Sequence, residues 1–179
     1  VMTTDDESAA SNWTQATLGT SVAFTVDTAA ACTSVVLNAF YEGTTQIAAS
    51  TNIATVDIAD VDMSKSFLVF SAAVDDNNPQ CTQIRGNLYD AGSGDIKIDF
   101  ERYESTCPVV DIRYYLAEFS SGVSVQRGTK TTLSADTINV PLSPTVETSK
   151  SFPLISGFVS STIYNGNDFI EAEITANNN

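Results

Sequence analysis

Apolar and polar residues alternate with period two along much of the chain, and no window carries the three-to-four spacing of an amphipathic helix. Ile96, Ile98 and Phe100 alternate with Lys97, Asp99 and Glu101; Val110, Ile112, Tyr114 and Leu116 alternate with Asp111, Arg113 and Tyr115; Val123 and Val125 alternate with Ser124 and Gln126. Each segment offers one apolar and one mainly polar face, the pattern of a sheet packed on one side. Further strands are expected over 21–26, 34–41, 65–72, 83–90, 137–142, 151–160 and 169–175. Turn-rich pieces separate them: Tyr41-Glu42-Gly43, Asp75-Asp76-Asn77-Asn78-Pro79, Ser120-Ser121-Gly122 and Tyr164-Asn165-Gly166-Asn167. Many short strands spaced by turns predict an all-β fold, an antiparallel β-sandwich of immunoglobulin-like or jelly-roll type.

The pattern also repeats with a period of about 85 residues. Ser64-Lys65-Ser66-Phe67 returns as Ser149-Lys150-Ser151-Phe152, and in the same register Ile53 matches Ile138, Val61 matches Val146 and Ser71 matches Ser156. After a one-residue slip Ile84 falls on Ile170 and Leu88 on Ile174. The segment from Cys32 to Tyr41 resembles the one from Cys107 to Leu116. The chain therefore reads as an N-terminal half unit (1–51), a complete central unit (52–135) and a C-terminal half unit (136–179). Half a sandwich leaves an apolar face and an unpaired strand edge in water. Either the two halves close on each other within one chain, or the C-terminal half of one subunit completes the N-terminal half of the next, giving a head-to-tail polymer.

Charge and composition remove several functions. With 22 Asp and Glu against 8 Lys and Arg the formal charge is −14, which repels nucleic-acid phosphates and anionic membranes. Histidine is absent, and with it the usual general base and the commonest zinc ligand. No apolar run reaches the roughly 18 residues a membrane-spanning helix needs. There is no seryl nucleophile motif, phosphate-cradling glycine loop or metal-spaced cysteine cluster. The expectation is a protein that is not an enzyme.

Three cysteines remain to be placed. Cys81 and Cys107 lie symmetrically about Gly94 in the turn Ala91-Gly92-Ser93-Gly94-Asp95, so a hairpin folded there sets them opposite each other as a disulfide clamp. The alternative is a pair of buried thiols in a reducing compartment. Cys32 is then a small buried apolar residue or an intermolecular link.

Other candidates are weaker. Asp99 and Glu101 project from one strand face about 7 Å apart, a spacing open to glycosidase chemistry but equally that of a solvated acidic face beside Lys97. Asp57, Asp60 and Asp62, or the loop Asp75-Asp76-Asn77-Asn78, offer oxygen ligands to Ca²⁺ without EF-hand spacing; no other cofactor is expected. Tyr89, Tyr103, Tyr114 and Tyr115 could offer planar platforms to a sugar, Tyr114 falling on the apolar phase of its strand. Tyr89, Arg85, Arg113 and Tyr115 fall on outward phases, as a cross-strand ladder or as a ligand face for glycans. Trp13, within the sequon Asn12-Trp13-Thr14, either docks on a neighbouring subunit or covers the end of its own unit.

The strand Ser64-Lys65-Ser66-Phe67, the strand Arg85-Gly86-Asn87-Leu88 and the run from Glu118-Phe119 to Gln126-Arg127-Gly128 together resemble repetitive β-sandwich modules of tailed-phage virion surface proteins and of large secreted fibre proteins. The resemblance spans the central unit and part of the C-terminal half, and it implies a structural or adhesive role with no catalytic residue. The expected function is thus a non-enzymatic structural subunit of an extracellular filament or virion surface assembly, polymerising with itself through strand sharing. Its expected location is extracellular, on a cell surface or on a virion, and its expected interface is Trp13, Phe169, Ile170, Ala172 and Ile174. The alternative function is a carbohydrate-binding adhesin module.

Overall fold

The two most strictly alternating segments become the central strands of two sheets. The structure, a computed structural model, describes residues 35–129, 142, 146–160, 162–163 and 172–175. Six strands form in chain order: β1 (Val36–Ile47), β2 (Ile53–Ile58), β3 (Ser66–Val74), β4 (Arg85–Asp90), β5 (Ile96–Glu101) and β6 (Val110–Ser121). A helical turn, α1 (Pro79–Thr82), lies between β3 and β4, and single 3₁₀ turns occupy Met63–Lys65 and Thr148–Lys150. One sheet has the order β1-β6-β3, the other β2-β5-β4, and every pairing is antiparallel.

Alternation explains why the two sheets share one core. Ile96, Ile98 and Phe100 of β5 and Val110, Ile112, Tyr114 and Leu116 of β6 point inward into a single buried cluster with Ile47, Leu88 and Ile84. The Phe100 ring meets Tyr114 at 5.8 Å and Phe70 at 5.2 Å, so the contact crosses from sheet to sheet. Each such side chain contributes about 1.5–3 kcal/mol on burial. β4 approaches β3 closely because Gly86 has no side chain: a Cβ there would lie 2.5 Å from the Phe70 ring.

Several expected elements change. The expected turn at Tyr41-Glu42-Gly43 is the middle of β1, where Gly43 pairs with Tyr114 and leaves room for its ring. β2 was not among the expected strands, because Ile53 lies on its outward face and the small Ala54 on its inward face, which blurs the alternation. Residues 123–126 and 151–160 form no strand. The hairpin β4–β5 is centred on Ser93, and its ladder ends at Arg85 and Glu101. The boundary drawn at residue 51 falls in the crossing between β1 and β2, so the sheets draw on residues from both sides of it. The expected strand 21–26, all of the expected strand 137–142 except residue 142, and Cys32 lie outside the described residues. No helix among the described residues is long and apolar enough to cross a membrane.

Candidate assembly surface

The Lys-Ser-Phe motif begins with a turn held at both ends. Asp62 caps it: its carboxylate accepts from the Ser64 amide at 2.9 Å and the Ser64 hydroxyl at 2.6 Å and pairs with Lys65 at 3.2 Å. The Ser64 and Lys65 bonds hold the Asp62 carboxyl below its ordinary pKa. Glu118, buried on β6, accepts from the Asp62 amide at 2.7 Å and from the Asn38 side chain at 2.8 Å. At the other end the Arg127 guanidinium donates to the carbonyls of Met63 and Ser66, and burial lowers its pKa. Gly122, at φ 78°, turns the chain off β6 and brings Val125 back to bond the Ser64 carbonyl at 2.7 Å. The Glu-Phe and Gln-Arg-Gly pieces of the motif thus act on the same turn.

Around this clamp a second, smaller core forms on the outer face of the β1-β6-β3 sheet. Phe67, Ala117 and Phe119 are buried there, with Val35, Val69, Val123 and Val125 packed against them. The Phe67 ring stacks on Phe119 at 5.8 Å and meets Phe152 edge-on at 6.4 Å.

Phe152 introduces the C-terminal segment, which runs along the side of the molecule formed by β3 and β4. The Ser156 hydroxyl bonds both the amide and the carbonyl of Gly86, at 3.0 and 3.3 Å. Phe158 receives the Arg85 guanidinium at 4.9 Å, and Gln80 donates to the Ser160 carbonyl at 2.5 Å. These are local contacts; residues 151–160 form no strand ladder. Leu154 and Ile155 remain about half exposed. On the opposite side, β1 pairs only with β6 among the described residues, and Val36, Leu37 and Phe40 are exposed along it.

Cys81 and Cys107 form a disulfide with Cα atoms 5.4 Å apart. It lies outside the ladder, contrary to the hairpin geometry expected: Cys81 sits in α1 and Cys107 in the loop before β6. Beside it Arg102, 1% exposed, donates to the carbonyls of Ala48, Thr51, Cys107 and Pro108, so one cation ties the β1–β2 crossing to the loop before β6. Burial lowers its pKa. Arg102 was not singled out from the sequence, and Glu118 only as part of the Glu-Phe piece of the motif, yet one signal marks both. Arg102 continues the inward phase of Ile96, Ile98 and Phe100, and Glu118 that of Val110 to Leu116. A charge on the core phase at a strand's end closes off the core by bonding turn backbone.

The expected ligand face divides in two. Arg113 and Tyr115 lie together, guanidinium to ring 5.8 Å, on the outer face of the β1-β6-β3 sheet, where Tyr115 also stacks on Phe40. Arg85 and Tyr89 lie on the outer face of the other sheet. There the ladder is of charges and hydroxyls. Arg85 pairs with Glu101, Thr55 donates to Asp99 at 2.7 Å, and Lys97 bridges Asp57 at 2.7 Å and Asp95 at 3.1 Å. The bonds to Asp57 and Asp95 hold the Lys97 ammonium above its usual pKa, and partial burial, with a bond to Asp99, raises that of Tyr89. Asp99 and Glu101 are therefore each engaged with a neighbour rather than with each other. Asp76 and Asn78 cap the approach to α1, accepting from the amides of Asn78 and Gln80. Among the described residues no group of three acidic or cysteine side chains could hold a metal ion. Of the expected interface, Ala172 and Ile174 are half-buried, while Trp13, Phe169 and Ile170 lie outside the described residues. Compared with protein-family models, with curated proteins and with solved structures, the chain matches none.

Proposed function

We propose that the chain is a non-enzymatic structural subunit of an extracellular filament or virion surface assembly, built from β-sandwich units that share strands between copies. The nesting of first strand with last and second with fifth favours the jelly-roll type. The single observation that carries the reading is that residues 151–160 begin as β3 begins, with Ser-Phe, yet reach their own unit without a ladder. A segment rich in apolar residues and held that way gains main-chain hydrogen bonds by adding to a sheet edge elsewhere. Pro153 restricts it to an edge position, since proline donates nothing to a ladder. The acceptor is the long β1 edge of the next copy, with exposed Val36, Leu37 and Phe40, and the segment carrying Phe169, Ile170, Ala172 and Ile174 continues the addition. The disulfide fits an oxidising, extracellular setting, and the charge of −14 keeps assembled copies from bundling.

Sedimentation velocity on the full chain across the micromolar range is the test. The expected result is a concentration-dependent series of oligomers, with a chain lacking residues 151–179 remaining a folded monomer. A full chain that is folded and monomeric at every concentration sinks the proposal.

A further inference from the structure

On the outer face of the β2-β5-β4 sheet, at the end where β2 and β4 begin, a cavity of about 320 Å³ is lined by Asn52, Ile53, Glu101, Arg102, Tyr103 and Phe158. Its walls come from parts of the chain that the local fold alone brings together: the crossing into β2, the last residues of β5 and the C-terminal segment. Tyr103 is 48% exposed, and its ring meets that of Phe158 at 6.3 Å with a 54° tilt, so the two rings form an open corner.

What the lining has left to offer is neutral. Glu101 is already paired with Arg85, and the Arg102 guanidinium is spent on backbone carbonyls. The Asn52 side-chain amide and the Tyr103 hydroxyl make no hydrogen bond among the described residues, and beside them Arg85 Nε is buried with no acceptor. A phosphate or carboxylate ligand would meet Glu101 and a chain of charge −14, and a cation would meet a carboxylate already matched by arginine. Two aromatic faces joined to uncommitted amide and hydroxyl groups suit a ligand with apolar C–H faces edged by hydroxyls.

We infer that this cavity binds a small neutral saccharide, with Tyr103 and Phe158 covering its C–H faces and the Asn52 side-chain amide bonding its hydroxyls. The inference does not rest on strand sharing: it holds for the chain whose residues 151–160 stay on their own unit and keep Phe158 beside Tyr103. It also differs from the face carrying Arg113 and Tyr115, which lies on the other sheet.

The experiment is isothermal titration of the full chain with glucose, galactose, N-acetylglucosamine and their β-linked disaccharides. At least one is expected to saturate at or below about 10 mM. Loss of the stacking face in Tyr103→Ala is expected to weaken that binding about tenfold, whereas Tyr103→Phe retains most of it. Asn52→Ala, at an exposed position away from the core, is expected to weaken it several-fold and guards against a folding defect in the tyrosine variant. Absence of saturation by any of these sugars, binding that survives both Tyr103→Ala and Asn52→Ala, or binding lost instead in Tyr115→Ala would each overturn the assignment.

Discussion

Two segments of this chain share the sequence Ser-Lys-Ser-Phe and the same turn, and only one of them goes on to form a strand. At Met63–Lys65 the cap residue is Asp62, whose carboxylate accepts from the Ser64 amide; at Thr148–Lys150 it is Glu147, whose carboxylate takes the Ser149 hydroxyl and makes no cap bond to a turn amide. In each turn the lysine three residues on closes an ion pair, 3.2 Å in the first and 2.9 Å in the second, and its amide bonds the cap carbonyl at 3.0 Å. The serine that follows is extended in both, φ −115° and −131°. Beyond it, Phe67 enters nine residues of ladder against β6, whereas Phe152 enters a segment without ladder. A turn is closed by residues within one another's reach and so repeats wherever its sequence repeats. A strand needs a partner supplied by a distant part of the chain, and β-propensity without that partner does not form it.

The largest expected effect is a stability difference between the two phenylalanines. Phe67 is 8% exposed and holds the smaller core together with Phe119, so Phe67→Ala is expected to cost about 3–5 kcal/mol. Phe152 covers that core from a half-buried position, and Phe152→Ala is expected to cost about 1 kcal/mol. Urea unfolding of both variants measures the difference. Equal costs would mean that the C-terminal segment is as much a part of the unit as β3, and the comparison would fail.

A smaller effect tests whether the clamp, rather than the motif, delivers β3 to its ladder. Glu118→Ala leaves the Asp62 amide and the Asn38 side chain without their acceptor, a loss of about 1–3 kcal/mol. Hydrogen exchange is expected to show faster opening at the start of β3, around Ser66 and Phe67, with β5 unchanged. Uniform acceleration across both sheets would place Glu118 in global stability and not in the turn.

How far the sequence foretold this arrangement follows from the same physics. β5 and β6 were legible because strict alternation reports one dry and one wet face, and the turn from Ala91 to Asp95 was legible from its own residues. The pairing of Cys81 with Cys107 was also legible, although not its position, since symmetry about a turn says nothing of where a ladder stops. β2 was obscured by Ile53, an apolar residue on the wet face, and the length of β1 by Gly43, which reads as a turn until Tyr114 is known to lie across from it. The grouping of Arg85, Tyr89, Arg113 and Tyr115 was not recoverable, because phase along a strand shows inward from outward but not which sheet the strand joins. Phe158 carries no pattern that would announce its place beside Tyr103, which depends on the path of a segment without ladder. Sequence thus reports what neighbours in the chain decide and is nearly silent on what distant segments decide.

The smallest effect concerns the capping carboxylate of the first turn. Because bonds from Ser64 and Lys65 favour its ionised form, Asp62 titrates in the folded protein below its ordinary value of 3.8. A carboxyl whose folded pKa is depressed contributes stability that is present above its unfolded pKa, and that contribution fades as the pH falls through 3.8 toward the lower folded value. Asp62 is solvent-accessible, so the contribution is screened and modest. Glu104, whose pKa is lowered by bonds from the Thr106 and Ser105 amides, adds to the same acid limb. In Asp62→Asn the amide oxygen still accepts from Ser64, so the turn persists while the charge is lost. The expected outcome is a slightly lower melting temperature at neutral pH and a shallower decline between about pH 5 and pH 2. The gap between variant and parent therefore narrows as acid is added. A gap that stays constant over that range would show that Asp62 holds the turn through geometry alone, and that the ion pair to Lys65 contributes nothing to seating β3.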